Sequence, residues 1–441
     1  MTPPPPLTLD TIRTCLEGVV PASIATCDDE GVPNVSLLSQ VHHVDDRHVA
    51  LTYQFFNKTR RNILANPYAV LQVMDPLTVA EYRLRVRYLR TETAGPVFET
   101  MKARLAGIAS HTGMAGVFRL LGADIYRVLE IEAVPGAPLP PQPSRSLLPD
   151  VRRTCQRLAE ASGLDDILEE TLTALQARFG IDHAMILMLD ETGERLFTVA
   201  SRGYARSGVG SEVAVGDGVI GVAARERTPI RITHFTTEYA YSIAAGAGSP
   251  PADEIPFPGL EEPHSQLAVP IAAGGRLFGV LFVESRRELA FCYEHEDALA
   301  TISAQMAALM LARAPGATAA EPAVTAPAPA AGPPAVVRHY PADNSVFINH
   351  DYLIKGVAGA IFWKMIRDFL RDGRQEFTNR ELRLSPEIRL PGQAENLEAR
   401  LILLRRRLAE RCDGVRIEPA GRGRVRLVVT RPLALDQQAT A

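Results

Sequence analysis

Leu51-Thr-Tyr-Gln-Phe-Phe-Asn-Lys-Thr-Arg-Arg-Asn62, followed by Asn66-Pro67 and Ala69-Val-Leu-Gln-Val73, decides how the N-terminal part of the chain is read. An apolar strand enters a basic turn, the turn becomes a short helix closed by Asn-Pro, and a second strand follows. A strand opening into a helix N-terminus that carries Lys58, Thr59, Arg60 and Arg61 is suited to an anion. Free backbone N–H groups and the helix dipole favour negative charge, and the cations and hydroxyl add charge-assisted hydrogen bonds. The same residues also read as a solvated basic turn on a β-barrel.

Working outward, Pro21-Ala-Ser-Ile-Ala-Thr26 and Pro33-Asn-Val-Ser-Leu-Leu38 flank Asp28-Asp-Glu-Gly31, a strand–turn–strand pattern. Ala123-Asp-Ile-Tyr-Arg-Val-Leu-Glu-Ile-Glu132 alternates as a closing strand. Strand, Lys-Thr-x-x-Asn-Ile, Asn-Pro and apolar strand together resemble the flavin-binding split barrel of the pyridoxamine 5′-phosphate oxidase superfamily, over residues 8–134. The resemblance implies FMN as cofactor, with Lys58 and Thr59 on its phosphate and Asn62 supporting the turn. Arg60 and Arg61, with Ser39 and Gln40 on the preceding strand, complete the expected cofactor set. An Arg-x-His substrate grip of that superfamily is missing from its expected place, and a helical insert over 97–121 precedes the last strand. Oxidation of pyridoxamine phosphate is therefore not expected, whereas flavin binding is. If the chain is an enzyme, His42 and His43 are the candidate catalytic groups, against a plain structural role on the strand.

At 441 residues the chain exceeds one ordinary domain. With 46% hydrophobic and 22% charged residues it is globular in composition, and no apolar run approaches the ~20 residues needed to cross a bilayer. Met1-Thr-Pro-Pro-Pro-Pro6 lacks the pattern of a signal peptide. The cysteines, Cys15, Cys27, Cys155, Cys292 and Cys412, are scattered without C-x-x-C, so neither a disulfide scaffold nor a metal site is expected. A cytoplasmic location fits that usage. Net charge is −4 overall, but residues 336–431 carry 19 Lys/Arg against 12 Asp/Glu, leaving −11 for the rest. A basic C-terminal module is attached to an acidic body.

Residues 314–335 are Ala/Pro/Gly/Thr with one charge, a semi-extended linker. Between it and the proline-rich 135–144 lie two helical segments, then a strand at Ala184-Met-Ile-Leu-Met-Leu-Asp190 with a hairpin partner at Arg195–Ser201. Val215-Gly-Asp-Gly-Val-Ile-Gly-Val-Ala-Ala-Arg225, Pro229-Ile-Arg-Ile-Thr233, Ser265–Ile271 and Arg276–Glu284 follow in order, and a helix spans 294–312. That succession is similar to a GAF domain over residues 147–313. It implies an antiparallel sheet with flanking helices and a small-molecule pocket, capped by the segment holding His234, Tyr239, Tyr241 and Ser242. A lid over a filled core is the competing reading of that segment. Leu299, Ile302, Met306 and Leu309 at 3-4-3 spacing suit either a core helix or the seam of a homodimer.

After the linker, short strands at 336–340 and 345–349, a helix over 352–371, a capped short helix from Thr378, a helix over 396–411 and a hairpin over 415–429 follow one another. This order resembles a winged helix over residues 336–431. Arg400, Arg405, Arg406, Arg407 and Arg411 on the third helix, with Arg422 and Arg424 on the hairpin, are the expected nucleic-acid or partner contacts. The expectation is a multi-domain α+β chain: an antiparallel split β-barrel, a GAF sheet with flanking helices, and a winged-helix-like output that binds DNA or protein. It reads as a sensory regulator. An FMN-dependent oxidoreductase regulated by its GAF domain is the alternative.

Overall fold

The computed structural model describes residues 7–38, 40–53, 57–111, 120–140, 145–233, 255–312, 334–388, 397–421 and 423–437. The N-terminal module comprises β1 (Ala22–Cys27), β2 (Pro33–Leu38), β3 (Val41–Asp45), β4 (His48–Tyr53), α1 (Asn57–Ala65), β5 (Tyr68–Met74), β6 (Glu81–Glu92), α2 (Pro96–His111) and β7 (Gly122–Ala133). Its strands form one antiparallel sheet in the order β2-β1-β5-β6-β7-β4-β3. Alternation gives the sheet one apolar face, which lines a core: Ile24, Leu71, Val73, Leu84, Val86 and Tyr126 face inward, and Ile63 of α1 joins them.

The insert expected between the last two strands is α2. One side of it, through Phe98 and Met101, covers Ala50, Ala123 and Ile125 of β4 and β7. Its other side, through Ala103 and Ala106, leaves the first module and enters the core of the second.

The second module runs α3 (Leu148–Glu160), α4 (Leu164–Phe179), β8 (His183–Leu189), β9 (Arg195–Arg202), β10 (Glu212–Ala214), α5 (Gly218–Glu226), β11 (Ile230–Ile232), β12 (Ser265–Ala273), β13 (Arg276–Ser285) and α6 (Tyr293–Ala312). Six strands make an antiparallel sheet, β10-β9-β8-β13-β12-β11. Helices α3, α4 and α6 pack on one face, and α5, with α2 of the first module, on the other. The 3-4-3 seam of α6 is filled within the chain, since Leu299, Ile302 and Met306 are fully buried against that first face.

The C-terminal module holds β14 (Ala335–Tyr340), β15 (Ser345–Ile348), β16 (Asp351–Ile354), α7 (Gly356–Asp372), β17 (Glu376–Thr378), α8 (Asn379–Leu384), α9 (Leu397–Arg411), β18 (Val415–Pro419), β19 (Arg424–Val429) and β20 (Leu433–Gln437). The helix expected from 352 begins only at Gly356. Tyr352 and Ile354 pair with Phe347 and Val346 as sheet, and Gly356, at φ +64°, takes the backbone from strand to helix. A strand the sequence reading did not include, β20, lies parallel to β14. Strand β17 pairs with β19, and β19 with β18, so the hairpin and the strand before α8 share one small sheet. Of the capping box expected at Thr378 the N-cap half is present: the Thr378 Oγ1 accepts the Glu381 N–H at 3.2 Å, while the Glu381 carboxylate takes the Thr378 hydroxyl and Arg374 rather than the Thr378 N–H. Most of the expected linker, 314–333, lies outside the described residues. The apolar cores of the second and C-terminal modules are continuous, with Leu403 and Leu404 of α9 in one cluster with Phe197, Val199 and Val209.

Candidate functional sites

The basic turn sits where the sequence places it, between β4 and β5 at the start of α1. Its residues divide into two groups. Lys58 and Arg61 are exposed at the helix N-terminus. Thr59, Arg60 and Asn62 turn inward. Asn62 is buried and its Nδ2 donates to Thr26 Oγ1 at 3.2 Å. Arg60 reaches a cross-strand pair of β6 and β7, donating to Asp124 Oδ1 at 2.5 Å and to Thr91 Oγ1 at 2.8 Å. Asp124 is buried, so Arg60 is spent on neutralising it and bracing α1 against the sheet.

Thr59 finds partners that the motif itself does not contain. Its buried Oγ1 accepts from Asn34 Nδ2 at 2.9 Å and lies 2.8 Å from Ser36 Oγ, both on β2. Asn34 also donates to Ser36 at 3.4 Å. Two hydroxyl protons serve one hydroxyl–hydroxyl bond, so one O–H of the Ser36–Thr59 pair is left to give to something else. An anion at the α1 N-terminus, beside Lys58, is placed to receive it. Among the described residues, the buried side of the turn holds one small cavity. The cavity there, lined by Ile24, Leu38, Leu51, Thr59, Arg60, Ile63, Asp124 and Tyr126, measures about 10 Å³, the size of a single water.

Of the two remaining expected cofactor residues, Gln40 is half-buried between β2 and β3, and Ser39 lies outside the described residues. His42 is buried at 6% exposure, and burial together with Arg104 pushes its imidazole down to about 3. His43 is lowered by burial and by Arg13, and stands 3.7 Å from Asp10. The burial that keeps His42 neutral also withholds it from substrate, so it acts as a packing residue.

In the second module, His234, Tyr239, Tyr241 and Ser242 all fall outside the described residues. The sheet face under α5 nevertheless carries a polar group at one end. Glu284 of β13 is 1% exposed; its Oε1 accepts the Leu260 N–H at 2.8 Å and its Oε2 the Gln266 Nε2 at 3.1 Å. Burial raises its carboxyl above the usual range, opposed by those two donors and by the nearby Tyr204 hydroxyl. The available signal in the sequence was a single charge at an inward position of Leu277-Phe-Gly-Val-Leu-Phe-Val-Glu284.

Four of the five arginines expected on α9 are taken up by partners within the chain. Arg400 donates Nε and Nη2 to the two carboxylate oxygens of Glu191 at 2.9 and 2.7 Å, and its guanidinium lies 3.9 Å over the Phe197 ring. Arg405 reaches Asp165 at 2.5 Å. Arg406 spans Asp165 at 3.0 Å, Glu169 at 2.7 Å and the Val199 carbonyl at 3.0 Å. Arg407 donates to the Leu353 carbonyl at 3.0 Å and is 3% exposed. Arg411 is exposed, Arg424 half-buried, and Arg422 outside the described residues. The basic helix is thus laid on the acidic first turn of α4 and on Glu191. Sequence reasoning found the arginines and missed these acids.

Residues 8–125 match the family model for pyridoxamine 5′-phosphate oxidase, and residues 161–310 the model for the GAF domain. The chain therefore joins a split barrel of the first kind to a GAF domain; neither model reaches α9. No curated protein matches it. Among solved structures, it is similar to an FMN-binding protein of Syntrophomonas wolfei, at 17% identity over 29% of this chain and 86% of that one, TM-score 0.26. It is similar also to the GAF domain of an Acinetobacter phosphoenolpyruvate-protein phosphotransferase, at 23% identity over 38% and 93%, TM-score 0.31. A third likeness is the GAF domain of the Coxiella burnetii phosphoenolpyruvate-protein phosphotransferase, at 22% identity over 38% and 95%, TM-score 0.31.

Proposed function

We propose that this chain is a regulatory protein in which a flavin-binding split barrel (residues 8–134) and a GAF small-molecule domain (147–313) act on a winged-helix-like output module (336–431) that binds DNA or protein. The observation that carries the flavin assignment is the Asn34–Ser36–Thr59 cluster at the α1 N-terminus, with its spare hydroxyl proton beside exposed Lys58. Lys58, the Ser36–Thr59 pair and the first-turn amides would hold the FMN phosphate, with Arg61 at the rim. FMN, when bound, supplies a one- or two-electron redox centre. The protein's own contribution is placement: Arg60, fixed on Asp124, and Asn62, fixed on Thr26, hold the helix end still.

The Glu284–Gln266–Tyr204 group is the proposed polar end of the GAF ligand site, suited to a ligand that presents hydrogen-bond donors. The succession α7-β17-α8-α9-β18-β19, with β17 on β19, supports the winged-helix reading of the output. The oxidoreductase alternative loses support from buried His42.

The absorption spectrum of purified protein, with mass spectrometry of whatever it releases on denaturation, tests the reading. Flavin bands and released FMN are expected. A colourless protein that takes up no added FMN would reduce the split barrel to a scaffold.

A further inference from the structure

We propose that the acidic face of the GAF domain formed by Asp165, Glu169 and Glu191 is a built-in competitor for nucleic acid, holding the arginines of α9 that would otherwise meet duplex phosphates. This rests on the winged-helix-like reading of the output module.

Three observations carry it. Within the module α9 is the third helix, immediately before the hairpin, which is the position from which a helix of this arrangement reaches a duplex. Its Arg400, Arg405 and Arg406 meet three carboxylates: Arg400 takes Glu191, and Arg405 and Arg406 share Asp165, with Arg406 also on Glu169. Arg400 precedes the other two by five or six residues of helix, about 8 Å at 1.5 Å per residue, so the contact runs along more than a turn of α9. The carboxylates of α4 and Glu191 thus take the charge-assisted bonds that phosphates would take.

The outer, Asp165–Glu169 part of the junction is of a kind that salt weakens. Ion pairs between partly exposed partners contribute little net stability and weaken with salt. Asp165 and Glu169 are 33% and 49% exposed at their side chains, whereas the Glu191–Arg400 pair is largely buried and holds the inner end of the contact. Charge division along the chain agrees, since the basic excess of 336–431 is matched by an acidic body. Only one of the two partners can hold these guanidinium groups at a time, so duplex binding requires α9 to leave the GAF face.

The test is carried out on the full chain with a fluorescently labelled mixed-sequence duplex of about 25 base pairs, over a range of salt concentrations. Asp165→Asn, Glu169→Gln and Glu191→Gln are combined, which removes the competitor without adding positive charge. Binding at least tenfold tighter than in the unaltered protein is expected. Its logarithmic salt dependence should steepen by about 2–3, the value for three further phosphate contacts. Adding Arg400→Gln, Arg405→Gln and Arg406→Gln should abolish the gain. If the triple variant does not fold, hydrogen exchange of the unaltered protein decides. Duplex at low salt should then deprotect the first turn of α4 and the neighbourhood of Glu191. A folded triple variant with no gain, a gain that survives loss of the arginines, or unchanged exchange at α4 would each overturn the proposal. An α9 that is released yet binds only a protein partner would overturn it too. A colourless protein that shows the gain would keep this inference and sink the flavin reading, so the two fail separately.

Discussion

Arg231 of the GAF strand β11 places its Nη1 2.9 Å from Glu17 Oε2 of the split barrel, and both side chains are 8% exposed. Its Nε is bound at 2.9 Å to Glu296 on the first turn of α6, and Arg104 of α2 pairs with the other oxygen of Glu296. Glu17 also accepts the Tyr293 N–H at 2.8 Å, capping the same helix. Burial alone would lower the Arg231 guanidinium, but Glu296 and then Glu17 hold it above its ordinary value. Two acids and two bases thus clamp the modules together.

Removing one member of the clamp leaves buried charge without a partner. Arg231→Met should destabilise the protein by about 3–5 kcal/mol, because two carboxylates then face each other. Glu17→Gln should cost clearly less, since its amide still caps α6 and Glu296 still serves Arg231. Urea denaturation, followed separately through the split barrel and the GAF domain, checks this. Equal losses in the two variants would show that the ion pairs are not what joins the modules.

Beside the clamp, the two modules also meet in a steric contact. A Cβ built on Gly107 of α2 would stand 2.4 Å from Cγ2 of Ile230. Gly107→Val should therefore push α2 away from β11 and cost about 1–3 kcal/mol through overpacking. Ile230→Ala makes room, so the double variant should recover part of the loss while Ile230→Ala alone destabilises. Additive losses in a double-mutant cycle would contradict the contact.

His42 ties stability to pH. Its folded value, about 3, lies below the 6.5 of a free imidazole, so the unfolded chain takes up a proton that the folded one refuses. Its contribution is complete above pH 6.5 and is lost as pH falls towards 3, at up to about 1.4 kcal/mol per pH unit. His42→Gln should flatten the acid side of the stability curve between pH 6.5 and 4.5. An unaltered slope would show that His42 is not the group protonated on unfolding.

How far the sequence showed these sites depends on where the partners lie. Alternation in Ala69-Val-Leu-Gln-Val73 and the Asn66-Pro67 stop are local, so strand β5 and the end of α1 were legible. Asn34 and Ser36 are some 25 residues from Thr59, on a hairpin whose own pattern says only strand. The acids that take up Arg400 and Arg405 stand 209 and 240 positions away, so the chemistry of α9 was legible and its destination was not. At residue 352 the apolar spacing of a helix and the alternation of a strand coincide, and pairing with β15 decides for the strand.

The hydroxyl pair gives the most discriminating prediction about the proposed cofactor. Lys58 is exposed, so Lys58→Ala should leave stability within ~0.5 kcal/mol and weaken FMN by about tenfold or more through loss of a charge-assisted bond. Ser36→Ala removes one hydroxyl, and Thr59 must then choose between its Asn34 contact and the phosphate only as acceptor and donor respectively. Since Asn34 already donates to Thr59, the Thr59 proton becomes free to turn outward, and FMN affinity should fall little. Thr59→Val removes the acceptor of Asn34 and the hydroxyl nearest the helix end together, so it should lose both stability and affinity. Titration of each variant with FMN, alongside thermal unfolding without it, separates these outcomes. Loss of affinity in Ser36→Ala as deep as in Thr59→Val would place the donating proton on Ser36 rather than on the helix.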